Sequence, residues 1–297
     1  MRAWPFTQSK TPGFGISRGY YLTILSSASV LPCIAQIANP NGAEGAVPGL
    51  GVPLGTDRDK TVLTEAMRMG QYAIASNDRK TVLKMGIMSK EEAGFDPEIY
   101  VQSILAKGED PEIIARLRGT WTISQLVYES HDPGVYPALD FFLGVSRRMA
   151  MLSEGVVADS ICQRYLLPEN VVQSARMDPK VDVREHVVIN LTQRESGIHV
   201  YTLGMQKFAL PEFEILNLTD GGKDWAVNLL LSTAQQVLMS KVTRIGDLFG
   251  STRAAFKAAE GGFLQEHWHG TPVIELQPPI SMTPTEALEF WAEDVCR

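Results

Sequence analysis

Glu266-His267-Trp268-His269 is the densest group of metal-ligand side chains in the chain, with two imidazoles two residues apart. On an extended strand such a pair shares one side, and a divalent metal would sit between them. A zinc site needs three or four ligands, however, and the spacing matches no HExxH pattern. Gly262 and Gly270 flank the group. The expectation is therefore an exposed loop, with Glu266, His267 and His269 as the candidate metal ligands. His199 and Glu212 are the candidate catalytic residues, as titratable groups that a shared cleft with His267 and His269 would bring together.

Other chemistry-bearing groups read as structural. His131-Asp132 looks like half of a proton relay, yet Asp132 precedes Pro133, the arrangement that starts a turn or helix. No GxSxG elbow supplies a nucleophile. The stretch Gly246 to Thr252 (GDLFGST) lacks the lysine and spacing of a phosphate loop, and Glu260-Gly261-Gly262 follows no dinucleotide fingerprint, so both are expected to be turns. No cofactor is expected. Lys207, close to Glu212 and Glu214 in sequence, suggests a partly exposed ion pair, with a buried amine as the alternative.

The elements that must position these residues are legible in part. Residues 60–88 place apolar side chains at roughly helical spacing and predict helices or turns. Asp96-Pro97 and Asp110-Pro111 each put a capping acid before a proline, predicting short helices over 97–106 and 111–117. Residues 120–128 are β-branched and aromatic and predict a strand. Leu139, Phe142, Val145, Met149 and Leu152 recur at steps of three or four, an amphipathic helix ending at Gly155. A short strand over 156–158 is expected beside the first.

Further on, Pro168 opens a helix. Residues 185–194 and 198–205 read as a hairpin about a three-residue loop, Glu195-Ser196-Gly197, with Arg194 facing Ile198 and His199 facing Gln193. Residues 213–218 and 272–276 are strands and 224–239 a helix. Thr283-Pro284-Thr285-Glu286 is a capping box for a last helix, with Leu288, Trp291 and Val295 inward. This order predicts an α+β fold, a mixed or mainly antiparallel sheet with helices packed on one face.

Composition bounds the rest. With 297 residues and 44 % apolar content the chain can bury a sizeable core. The net charge is −7, and residues 1–43 carry three bases and no acid, so the remainder is more acidic still. That polarity argues against nucleic acid as a partner. Cys33, Cys162 and Cys296 are odd in number and far apart, against a disulfide framework. Tyr20 to Ala38 follows basic residues like an export signal, but Ser26, Ser27, Ser29 and Pro32 dilute it, and no stable membrane span is expected. Residues 1–56 read as leader and Gly/Pro-rich linker, disordered and outside the fold. Residues 57–118 read as a helical segment and 119–297 as the α+β domain. A cytoplasmic setting is expected, with export as the alternative.

Gly204 to Glu214 (GMQKFALPEFE), with His199 just upstream, resembles a segment of uncharacterised bacterial domains of unknown function. The likeness touches Tyr136 to Asp159 and Glu260 to Gly262, spanning roughly residues 119–297. The resemblance implies an α+β bacterial domain and brings no activity or catalytic residue with it. The expected function is a non-enzymatic binding module with a protein partner; the alternative is a hydrolase, metal-dependent or not, drawing on His199, Glu212, His267 and His269.

Overall fold

The structure, a computed structural model, describes residues 20–38, 50–53, 64–76, 81–105, 110–130, 135–172, 181–240, 243–263 and 271–296. The fold is α+β, in two compact units that divide the chain near residue 180. Among the described residues no helix is long and apolar enough to cross a membrane.

The first unit is built on β1 (Tyr21–Ser26), β2 (Leu50–Pro53), β3 (Gly70–Ser76), β4 (Thr81–Ser89), β5 (Thr122–Ser130), β6 (Gly155–Asp159) and β7 (Arg164–Leu166). They form one antiparallel sheet in the order β2-β3-β4-β5-β1-β6-β7. Strand alternation gives it two distinct faces. On one, Leu22, Ile24, Ile74, Leu83, Met85, Leu126 and Val157 are buried. The long helix α4 (Val135–Leu152) packs on β1 and β6 and against the short α1 (Ile34–Ala38), with Phe142 edge-on to Tyr20 at 5.1 Å.

On the other face, α2 (Pro97–Leu105) and α3 (Pro111–Arg118) cover one end only. There Ile113, Ile114 and Leu117 pack with Leu25, Ile123 and Val156. Asp110 caps α3 as expected, its carboxylate accepting the Glu112 N–H at 2.8 Å.

Three expectations for this unit are corrected. Tyr20 to Ala38, read as leader, contains the strand that joins β5 to β6. The serines that made it too polar for a membrane are satisfied locally: Ser26 Oγ lies 2.8 Å from Ser153 Oγ, and Ser27 Oγ donates to the Glu154 carbonyl at 2.9 Å. Leu50–Pro53 likewise pairs with β3, while residues 1–19, 39–49 and 54–56 lie outside the described residues. Residues 57–118 are not mainly helical, because β3 and β4 pair across that stretch. The buried residues Leu83, Met85 and Ile87 recur every second position, a strand period masked by the apolar Val82 and Met88 between and beside them. The boundary expected at 118 is absent, since β5 sits in mid-sheet between β4 and β1.

Gly155 also differs from its expected role. Glu154 takes the left-handed turn after α4, with φ 50°, and Gly155 begins β6. A Cβ at Gly155 would meet Ile24 Cγ2 at 2.9 Å, so glycine is needed there for close strand packing rather than for its dihedral. The helix expected from Pro168 is a single 3₁₀ turn, Pro168–Asn170, and residues 173–180 lie outside the described residues.

The second unit comprises α5 (Val183–His186), β8 (Val188–Arg194), β9 (Gly197–Leu203), β10 (Glu212–Leu218), α6 (Lys223–Ser240), β11 (Leu248–Gly250), β12 (Ala255–Glu260), β13 (Val273–Gln277) and α7 (Pro284–Val295). The sheet order is β11-β12-β13-β10-β9-β8, antiparallel except where β13 lies parallel to β10. Two successive three-strand meanders are thus each closed by a helix. α6 and α7 pack on the sheet and on each other. They cover the face carrying Val200, Phe213, Ile215, Ile274, Leu276 and Phe256, all buried.

The capping box of α7 forms as expected: the Thr283 N–H donates to Glu286 at 2.7 Å, and Thr283 Oγ1 accepts the Glu286 N–H at 3.3 Å. Leu288 and Trp291 face inward, whereas Val295 in the last turn is exposed. The hairpin forms with a register shifted by one from expectation. Arg194 faces Gly197, leaving a two-residue loop, and His199 faces Thr192 rather than Gln193. Gly197 enters β9 with φ 130°, and a Cβ there would lie 2.8 Å from the Leu218 carbonyl oxygen. His186 belongs to a helical turn capped by Asp182, not to a strand.

Candidate functional site

The half of the first sheet that α2 and α3 leave uncovered is hollow. A cavity of about 810 Å³ opens there, within the usual range for small-molecule sites. Its floor follows from register. Gln71, Gly86, Gln125, Thr23, Ala158 and Tyr165 are successive cross-strand partners from β3 to β7, so they form one row on one face. The row is low where Gly86, Thr23 and Ala158 are small. The Gln71 amide lies over Gly86, where a Cβ would come 3.0 Å from its Nε2. At the opposite end Tyr165 rises as a wall.

The adjacent row toward the helices, Met88, Ile123 and Leu25, is apolar and closes that side. Above it Phe95, just before α2, and Tyr100, in its first turn, line the cavity with rings stacked on each other at 5.0 Å and 18°. Burial, with Tyr100 nearby, pushes the Tyr165 phenol up to about 12, so its hydroxyl keeps its proton at physiological pH. Asp159 and Arg164, also in the lining, neutralise each other at 3.4 Å, and Asp159 accepts the Cys162 N–H. Thr23 and Gln125 stand alone in the floor: among the described residues neither side chain makes a hydrogen bond.

In the second unit, the expected catalytic residues His199 and Glu212 are both buried but not together in one device. Glu212 is structural. Its carboxylate accepts from Thr202 Oγ1 at 2.7 Å, the Gly204 N–H at 2.9 Å and the Gln206 N–H at 3.0 Å, closing the 3₁₀ turn Met205–Phe208 over β10. Burial pushes its pKa up against those hydrogen bonds.

His199 instead meets Glu214, which the sequence marked only as a neighbour of Lys207. His199 Nε2 lies 2.8 Å from Glu214 Oε2, and Glu214 Oε1 accepts the Gly262 N–H at 2.6 Å. A Cβ on Gly261 would fall 2.6 Å from that same Glu214 oxygen, so the turn read as a spurious phosphate loop is a close-fitting carboxylate holder. Tyr201 lies 4.6 Å ring to ring from His199. Glu275, beside Glu214 across the parallel pair, is pushed up by burial and by the charge of Glu214. His199 Nδ1 is buried and, among the described residues, has no hydrogen-bond partner.

Lys207 takes its alternative reading: it is buried, and its Nζ donates to the His186 carbonyl at 2.9 Å. Glu266, His267, His269 and the pair His131-Asp132 lie outside the described residues. Among the described residues no three His, Cys, Asp or Glu side chains group to hold a metal ion. Among the described residues Cys33, Cys162 and Cys296 form no disulfide.

No family model, curated protein or solved structure matches the chain. The functional reading therefore rests on the two sites themselves.

Proposed function

We propose that the protein is a non-enzymatic binding module that holds a small organic molecule in the cavity of its first sheet. The observation that carries this reading is the unengaged Thr23–Gln125 pair in the floor of an aromatic-walled hollow of about 810 Å³. Sheet faces otherwise bury apolar side chains or show polar ones to bulk water. A few convergent polar groups among aromatic walls are the ordinary composition of a ligand site. Membership in the uncharacterised bacterial family suggested by residues 204–214 belongs to the same proposal and adds no chemistry to it.

The experiment is an NMR screen of neutral ring compounds against isotope-labelled protein. Hits are expected to move the signals of Thr23, Gln125, Ala158 and Tyr165 and to leave those of His199 and Glu214 in place. A screen whose hits all map elsewhere, or that yields none, overturns the reading.

The hydrolase alternative now rests on His199 and Glu214, since the hydrogen bonds of Glu212 are all used in holding a turn. Its specific support is the unpaired Nδ1 of a ring held in place by a carboxylate on its far side. This reading predicts that wild-type protein hydrolyses an activated ester and that His199→Asn loses the activity by about 100-fold or more. Equal rates for the two proteins would exclude it.

A further inference from the structure

Given that the cavity is a ligand site, its lining also narrows the class of ligand. We infer that it takes a neutral planar heterocycle with adjacent hydrogen-bond donor and acceptor, the chemistry of a nucleobase, seated edge-on to Gln125 and Thr23 with its face toward the aromatic wall.

Charge is the first constraint. Asp159 and Arg164 in the lining pair with each other at 3.4 Å, and Asp159 also accepts a backbone N–H. A strongly anionic ligand would have to break that pair to find its counter-charge, and a cationic one likewise. With its high pKa, Tyr165 contributes a neutral hydroxyl rather than a phenolate.

Hydrogen bonding is the second. A primary amide presents one C=O acceptor and one N–H donor side by side, which matches the paired donor and acceptor on a base edge. In Gln125 both are unengaged, and directly across the strand pair the Thr23 hydroxyl adds a group able to donate or accept. A purely apolar ligand would strip water from these groups and return nothing, at a real cost for each.

Shape is the third. Phe95 and Tyr100 stack on each other at 5.0 Å and 18°, and both contribute aromatic surface to one side of the cavity. Flat π-surfaces of this kind stack on bases irrespective of their identity. The strip Gln125, Thr23 and Ala158, with Tyr165 at its end, forms the floor facing that aromatic side. A free base or nucleoside fits this chemistry, while the net charge of −7 disfavours a polynucleotide.

The test uses the full chain titrated with adenine, adenosine, AMP and methyl glucoside, followed by NMR shifts of the cavity residues. Adenine and adenosine are expected to saturate those shifts, AMP to bind no more tightly than adenosine, and the glucoside to leave them unmoved. Gln125→Leu is expected to weaken adenine by about tenfold or more, since a bidentate base contact contributes discrimination of that order. Thr23→Val provides a second, independent variant if the first does not fold. Unchanged adenine affinity in a folded variant, or tighter binding of the glucoside, overturns the nucleobase assignment. If other ring compounds bind the cavity while all four common bases fail, the assignment falls and the ligand-site reading stands; if nothing binds there, both fall.

Discussion

Replacing Glu212 by alanine is expected to cost about 2 kcal/mol of folding stability, because one buried and one part-buried amide donor lose their acceptor, the buried one at roughly 1–3 kcal/mol. Those donors, on Gly204 and Gln206, end β9 and begin the turn that carries Met205, Lys207 and Phe208 into the core. Thr202 loses less, because its hydroxyl can rotate while still accepting the Phe213 N–H at 2.8 Å. Glu212→Gln keeps an acceptor for the turn, and its amide N–H can donate to Thr202, so about 1 kcal/mol or less is expected. Chemical denaturation of the three proteins checks the order. An alanine variant as stable as the glutamine one would show that the turn closes without the side chain.

The same pair of proteins has a pH signature with a fixed sign. Burial raises the Glu212 pKa in the folded protein above its ordinary value of 4.5. The folded state therefore binds this proton more tightly than the unfolded state does, and the stability it contributes is full below about pH 4.5 and lost as pH rises through the folded pKa. Wild type should gain on Glu212→Gln as pH falls from 8 toward 5. A difference independent of pH would mean that the hydrogen bonds fully offset burial.

What the sequence made legible was local. Proline after a capping acid located α2 and α3, the Thr283 capping box located α7, and the steps of three and four from Leu139 to Leu152 located α4. What stayed hidden depends on partners distant along the chain. β1 is a weak apolar run whose serines look out of place until Ser153 and Glu154 arrive from the end of α4. Once Tyr20 to Ala38 is set aside, the cavity cannot be found, because Tyr21, Thr23 and Leu25 are its central strip. Its other walls come from residues near 95, 125 and 160, and no short motif links them.

The second site was half legible. His199 stood out by type, but its partner depended on a one-residue choice of loop length and on the pairing of β9 with β10. Glu212, a catalytic candidate by residue type, has a structural role because the Gly204 and Gln206 N–H groups of the turn donate to it. Gly261 appeared to belong to a turn and nothing more. Its missing Cβ is what lets Gly262 reach Glu214.

The account stands or falls on the cavity, and Ala158→Trp addresses it directly. Ala158 lies in the floor between Thr23 and Tyr165, half-buried, with its methyl on the hollow side of β6 rather than toward α4. An indole there fills the hollow while the opposite face, where Val157 is buried, keeps its packing. Ring compounds that bind wild type should lose about 100-fold or more in affinity, equivalent to about 2.8 kcal/mol. Because Ala158 also packs against the apolar cluster under α2 and α3, folding stability is expected to fall by about 1–3 kcal/mol, so affinity is compared on protein shown to be folded. Wild-type affinity retained by a folded Ala158→Trp protein would place the ligand somewhere other than this cavity and contradict the reading.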